Sequence, residues 1–205
     1  LTFVPDAGIN FKFSSEYYNK LYGSYWNNDT NNNLHEYYSG VRKSSRYLQL
    51  LYINIMKNFI NSGLKFILCF GTLLGYVREN NFIDGDDDID VLLNINEQSL
   101  LNNIVNKSNN IEINRENKYF YQLYYKSNNK KIKPFDIYFY TENDHHIKLP
   151  WHNERLYHYH TFPKELIYPL NKVKYFNYDV YVPNNNVQLV EYIYGPNWNI
   201  KNIIK

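Results

Sequence analysis

The chain has 205 residues, a hydrophobic fraction of 44%, an aromatic fraction of 19% and a formal net charge of +2. That length supports one domain with a full core and leaves too little for two, and the 23 Tyr and 12 Phe exclude a disordered polypeptide. The near-neutral balance lacks the clustered basicity of a nucleic-acid binder, no stretch reaches the roughly 18 to 20 apolar residues of a membrane span, and the single Cys69 forbids an internal disulfide.

Residues 1–40 are rich in Tyr, Asn, Asp and Gly with weak periodicity and read as an irregular N-terminal arm packed on a domain of residues 41–205. Because the sequence begins at Leu1 rather than Met, it is compatible with a piece of a longer secretory-pathway, membrane-anchored or viral protein carrying an upstream anchor, signal or second domain.

From Ser44 onward, Tyr47, Leu48, Leu51, Tyr52, Ile55, Met56, Phe59 and Ile60 repeat at the spacing of one helical face, and Gly63 supplies the stop. Leu64 to Phe70 is an apolar run of strand length, Gly71-Thr72 reads as a turn, and Leu73 to Glu79 as a short helix. A strand over Ile89 to Leu93, a helix over Glu97 to Val105 and a hairpin over Ile111 to Tyr125 follow, the last turning near Glu116 and Asn117. After a turn at Ser127 to Lys131, Ile132 to Tyr140 reads as a further strand. Short strands at Val173 to Tyr175 and Val180 to Val182 precede a helix from Asn186 that Gly195-Pro196 ends. Without regular βαβ alternation, the pattern indicates an α+β fold with a mixed or mostly antiparallel sheet flanked by helices.

The segment Asp84-Gly-Asp-Asp-Asp-Ile-Asp90 places five carboxylates in seven positions, a self-repelling arrangement unless a cation or solvent takes up the charge. The two-residue strand period puts Asp88 and Asp90 on one face and Ile89 and Val91 on the other. Two carboxylates so placed can share a hard cation such as Mg²⁺ or Mn²⁺, with waters and substrate phosphates completing its shell; Asp86 is a further candidate ligand. In Lys133 to Phe139 the residues Phe135, Ile137 and Phe139 alternate inward, leaving Asp136 and Tyr138 on the opposite face. Asp136 taken alone could be a strand-end residue paired with a surface Lys. Beside Asp88 and Asp90 it reads as a third metal ligand or a base for an attacking hydroxyl. Gly71 and Thr72 would admit phosphate to backbone amides at a helix N-terminus, and Arg78 lies between them and the acidic loop, where it can bind phosphate or offset the aspartates.

The run GTLLGYVRENNFIDGDDDIDV, residues Gly71 to Val91, resembles the signature of the LicD/fukutin family, which has the nucleotidyltransferase superfold. The likeness continues through Phe135-Asp136-Ile137, Phe162-Pro163 to Pro169, Val182-Pro183-Asn184 and Tyr194-Gly195 to Trp198, covering roughly Leu48 to Trp198. The resemblance implies transfer of a phosphorylated alcohol, such as phosphocholine or ribitol phosphate, from a CDP-linked donor to a glycan hydroxyl with release of CMP. It further implies that Asp88 and Asp90 hold Mg²⁺ or Mn²⁺ against the diphosphate, that Asp136 completes the site, and that Gly71, Thr72 and Arg78 contact phosphate. The chain departs from the family at Asp84-Gly85, where Pro-Trp is usual.

Other residues carry weaker signals. His145, His146, His152, His158 and His160 could suggest zinc, but a polar loop on the acceptor side is the plainer reading. Trp151 is the better of the tryptophans for stacking on a sugar or base. Two alternatives compete with the CDP-donor reading: transfer of a nucleoside monophosphate from an NTP, and a non-catalytic glycan-binding or assembly module.

Overall fold

A computed structural model describes residues 45–86, 88–127, 130–150 and 160–200. The expected N-terminal arm, Trp151, His152 and His158 lie outside the described residues.

Helix α1 spans Ser45–Met56 and tightens into a 3₁₀ turn over Lys57–Phe59. Leu48, Leu51, Tyr52, Ile55, Met56 and Phe59 are buried, as the period requires. Ile60 departs from that expectation and is 60% exposed, because the helix has ended and the chain turns away through Asn61 (φ 58°) and Gly63 (φ 83°).

Strand β1 is only Ile67–Leu68, and helix α2 starts directly afterwards, over Phe70–Glu79. Gly71 and Thr72 therefore belong to the first turn of α2 instead of forming a loop ahead of it. The helix ends at Asn80, whose left-handed backbone (φ 49°) lets its N–H reach the Gly75 and Tyr76 carbonyls. Next come β2 (Ile89–Asn94), a 3₁₀ turn and α3 (Gln98–Lys107), then β3 (Ile111–Asn117), β4 (Phe120–Ser127) and β5 (Lys130–Glu142). The β3–β4 turn falls at Lys118 and Tyr119, slightly later than the sequence suggested. Lys130 and Lys131, expected in a turn, open β5.

Strands β6 (His146–Lys148) and β7 (Thr161–Pro163) and the single-turn α4 (Lys164–Ile167) were not signalled by any periodicity. They are too short to show one. The chain closes with β8 (Asn171–Tyr175), β9 (Tyr178–Val182) and α5 (Asn186–Tyr194), which stops at Gly195 as expected.

The sheet runs β3-β4-β5-β2-β1-β9-β8, with β6 and β7 joined at the end of β5. The β5–β2 and β1–β9 pairs are parallel and the others antiparallel, so the class is α+β with a mixed sheet. Ile89, Val91 and Leu93 of β2 and Phe135, Ile137 and Phe139 of β5 fill the core, alternating with the positions that carry the site. Tyr52 of α1 sits at the centre of an aromatic cluster, its ring centroid 5.8 Å from Phe82, 6.4 Å from Phe135 and 5.5 Å from Tyr175. Strand β2, paired with β5 on one edge and β1 on the other, also contacts α2, which in turn packs on α5.

Candidate active site

The parallel register of β2 and β5 sets Asp90 directly beside Asp136, and neighbours in register point to the same side of a sheet. Asp88, one pleat before Asp90, completes a group whose ligand atoms all lie within 4.8 Å of one another. Asp90 and Asp136 are both buried, at 5% and 6% exposure. At an effective dielectric of about 20, two carboxylate charges at this separation repel by about 3.5 kcal/mol. Three such pairs would oppose a folding stability that is only about 5–15 kcal/mol in total.

The charge has to be relieved by protons or by a cation. Burial and the neighbouring Asp88, Asp136 and Asp86 push the Asp90 carboxyl well above its usual range, opposed by a hydrogen bond from the Tyr138 hydroxyl. Tyr138 is the residue two along from Asp136 on β5, which the strand alternation had placed on this face. Its own phenol is pushed up by burial and then by Asp90 and Asp136. An all-oxygen set with no soft ligand fits Mg²⁺ or Mn²⁺ rather than zinc.

The main chain of Asp90 is fixed from two sides. Its N–H donates to Thr72 Oγ1 at 2.9 Å, and its carbonyl accepts the Cys69 N–H at 3.2 Å. Thr72 is fully buried, and its hydroxyl supports the strand that bears Asp90. Gly71 faces the acidic loop closely: a Cβ there would lie 2.6 Å from Asp86 Oδ2 and 3.5 Å from Asp90 Oδ2. The glycine makes room for the carboxylates whether or not a phosphate also approaches it. Cys69 is buried, and desolvation followed by Asp90, Asp88 and Asp136 pushes its thiol well up, which makes it a core thiol and no nucleophile.

Asp88 and Asp90 of the triad line a cavity of about 780 Å³, together with Phe70, Gly71, Leu74, Arg78, Ile83, Asp86, Tyr138 and Tyr194 among others; Asp136 stands beside Asp90 on β5. Its lining combines acidic residues with apolar and aromatic ones. Asp86 lines this cavity but stands outside the triad. Arg78 also lines it, its guanidinium held by Glu79 through Nε at 3.0 Å and Nη2 at 2.7 Å. Phe70 packs edge-on against Tyr138 with centroids 5.1 Å apart. Asp84, counted among the acidic residues, has another use: its Oδ1 accepts the Ser45 N–H at 2.9 Å, at the start of α1.

Sequence reasoning did not identify Tyr138, Asp84 or Gln122 as partners in this region. Gln122 of β4 donates from Nε2 to Asp136 Oδ1 at 3.2 Å, a contact that depends on strand register. Of the histidines, His145 is exposed, His146 lies on β6 and His160 is buried. Among the described residues, Asp88, Asp90 and Asp136 form the one group arranged to hold a metal.

A mixed sheet with two aspartates at the start of one strand and a third on its parallel neighbour defines a nucleotidyltransferase-type domain. Residues 63–185 match the family model described as LicD/FKTN/FKRP, nucleotidyltransferase domain, and the chain belongs to that family. Membership points to a transferase, and within that class to phosphotransfer onto glycans. Comparison with curated proteins gave no match. No helix among the described residues is long and apolar enough to cross a membrane.

Proposed function

We propose that the chain is a metal-dependent phosphotransferase that moves a phosphorylated alcohol, of the phosphocholine or ribitol phosphate type, from a CDP-linked donor to a glycan hydroxyl. The observation that carries this reading is the convergence of Asp88, Asp90 and Asp136 within 4.8 Å, two of which, Asp88 and Asp90, line a cavity of about 780 Å³, in a chain of the LicD family. That volume lies within the range of roughly 300–1,000 Å³ usual for small-molecule sites.

In this reading Asp88, Asp90 and Asp136 hold Mg²⁺ or Mn²⁺, with Asp86 a candidate further ligand. The ion, when bound, offsets charge on the donor diphosphate. Tyr138 fixes the Asp90 carboxylate, and Thr72 fixes the strand beneath it. Arg78, already in the cavity wall, exchanges part of its pairing with Glu79 for donor phosphate. Gly71 lets the donor approach the backbone at the start of α2. The acceptor hydroxyl attacks the phosphorus that bears the alcohol, the P–O–P bridge to CMP breaks, and the hydroxyl proton passes to Asp136 or to water. Trp151 is proposed to stack on the sugar or base.

CDP-choline, CDP-ribitol, CDP-glycerol and NTPs, each incubated with Mn²⁺ or Mg²⁺ and a glycan acceptor, test the reading. CMP release from a CDP-linked donor, abolished in Asp88→Ala, is the expected result. Pyrophosphate from an NTP would instead establish nucleotidyl transfer, which the same three aspartates could support. Metal binding with no turnover of any donor would favour a glycan-binding module.

A further inference from the structure

Asp136 is the ligand contributed by the second strand, so its carboxylate must be aimed across the gap between β5 and β2. On its far side stands Gln122, its antiparallel partner in register on β4. The Gln122 amide is itself oriented: Tyr124, two residues along on the same face, donates its hydroxyl to Gln122 Oε1 at 3.2 Å. With the carbonyl end engaged by Tyr124, the NH₂ end is turned to Asp136 Oδ1 at 3.2 Å. Asn114, opposite Gln122 on β3, brings Nδ2 to 3.5 Å from the Tyr124 hydroxyl. A polar line thus crosses three strands and ends on a metal-site carboxylate, where the same face of a sheet interior would ordinarily be apolar.

The strand geometry serves this line. The β4–β5 register shifts between Leu123 and Tyr125, so that Leu123 pairs with Phe135 but Tyr125 pairs with Ile132. The irregularity surrounds Pro134, which has no N–H to give to a ladder, and such bulges re-aim neighbouring side chains beside functional sites. Tyr124, at the shift, is buried.

We infer that Gln122, locked by Tyr124, is a positioning residue for the metal site: it occupies Asp136 Oδ1 and thereby presents the other carboxylate oxygen to the cation. This rests on the metal-site reading given under Proposed function. An amide donor satisfies one lone pair without adding charge, which a fourth carboxylate would do. Outer partners of this kind orient ligands, and their loss typically costs about 10- to 100-fold in metal affinity or activity.

The test is Mn²⁺ titration calorimetry on the full chain, together with kcat and KM for the CDP-linked donor that the wild type turns over. Gln122→Met keeps the length and removes the donor. It is expected to weaken Mn²⁺ binding by about 10-fold or more and to lower kcat with little change in donor KM. Tyr124→Phe, which leaves Gln122 in place but frees its amide to rotate, is expected to weaken Mn²⁺ binding in the same direction by a smaller factor, and it carries the test if Gln122→Met does not fold. A residue that only supported the fold would lower the melting temperature of the metal-free protein and leave Mn²⁺ affinity unchanged. Mn²⁺ affinity in both variants within two-fold of wild type, a margin of about 0.4 kcal/mol, overturns the positioning role. Failure of the wild type itself to bind Mn²⁺ overturns the metal-site reading on which it rests, so the two failures are separable.

Discussion

The site is built from residues whose individual demands conflict with stability. Asp90 is buried among three other carboxylates, which raise its proton affinity on top of the effect of burial. Asp90→Asn keeps the shape and removes the charge. It is expected to abolish Mn²⁺-dependent CMP release, by at least about 10²-fold given the size of direct electrostatic effects in such sites, while raising the melting temperature of the metal-free protein. Melting curves with and without Mn²⁺ check both halves, and a metal-free variant that melts lower than wild type would contradict the repulsion argument. The glycines of α2 separate the two demands further. At Gly71 an added Cβ meets the terminal carboxylate of the flexible Asp86 side chain rather than backbone, so Gly71→Ala is expected to change stability by less than about 1 kcal/mol yet impair metal or donor binding. At Gly75 the added Cβ would meet the Asn81 backbone carbonyl, which cannot yield alone. Gly75→Ala should therefore lose about 1–3 kcal/mol as an overpacked substitution, seen in denaturant unfolding.

Among the elements, α1 is tied to the acidic loop by the Asp84 bond to the Ser45 N–H, an N-terminal cap supplied from another part of the chain. A carboxylate there satisfies an orphan donor and favours the positive end of the helix. Asp84→Ala is expected to cost about 1 kcal/mol, lowering the melting temperature by about 2–4 °C in a domain of this size, with Mn²⁺ affinity retained. A large loss of metal binding in that variant would instead place Asp84 in the site. This bond also gives a structural use to one of the two positions, Asp84-Gly85, at which the chain departs from its family's usual pattern. Such a cap could not be read from the sequence, since donor and acceptor are 39 positions apart. What could be read was local: the apolar stripe of α1, the alternation that puts Asp136 opposite Phe135 and Ile137, and the stop of α5 at Gly195. The apolar run at Leu64 to Phe70 is longer than the strand it holds: only Ile67 and Leu68 form strand, while Phe66 and Cys69 each make a main-chain bond to a neighbouring strand and the run passes straight into α2. Tyr138 was placed on the right face by the period of two, but its bond to Asp90 depends on the parallel register of β2 and β5. The same holds for Gln122, whose contact requires β4 to lie beside β5 in one register and no other.

For the molecule as a whole, these charges make folding depend on pH in a direction opposite to that of most acidic residues. A carboxyl whose folded-state pKa is raised, as for Asp90, binds its proton more tightly in the native protein than in the unfolded chain. Its stabilising contribution is complete below the ordinary value of 3.8 and is lost as pH rises toward the raised value, at about 1.4 kcal/mol per pH unit for each extra proton bound by the native state. Asp179, held below its usual range by Lys172 and Lys174, acts in the opposite sense, but it is exposed and solvent screens it. The metal-free protein is therefore expected to lose stability between pH 3.8 and neutrality relative to Asp90→Asn, the comparison that cancels carboxylates elsewhere in the chain. Added Mn²⁺ competes with those protons, so its stabilising effect should grow with pH over the same interval and be absent from the variant. Chemical denaturation of both proteins across that range, with and without Mn²⁺, measures the difference directly. A wild-type minus variant curve that stays flat in the metal-free protein would mean that Asp90 does not carry the raised proton affinity its burial among carboxylates implies.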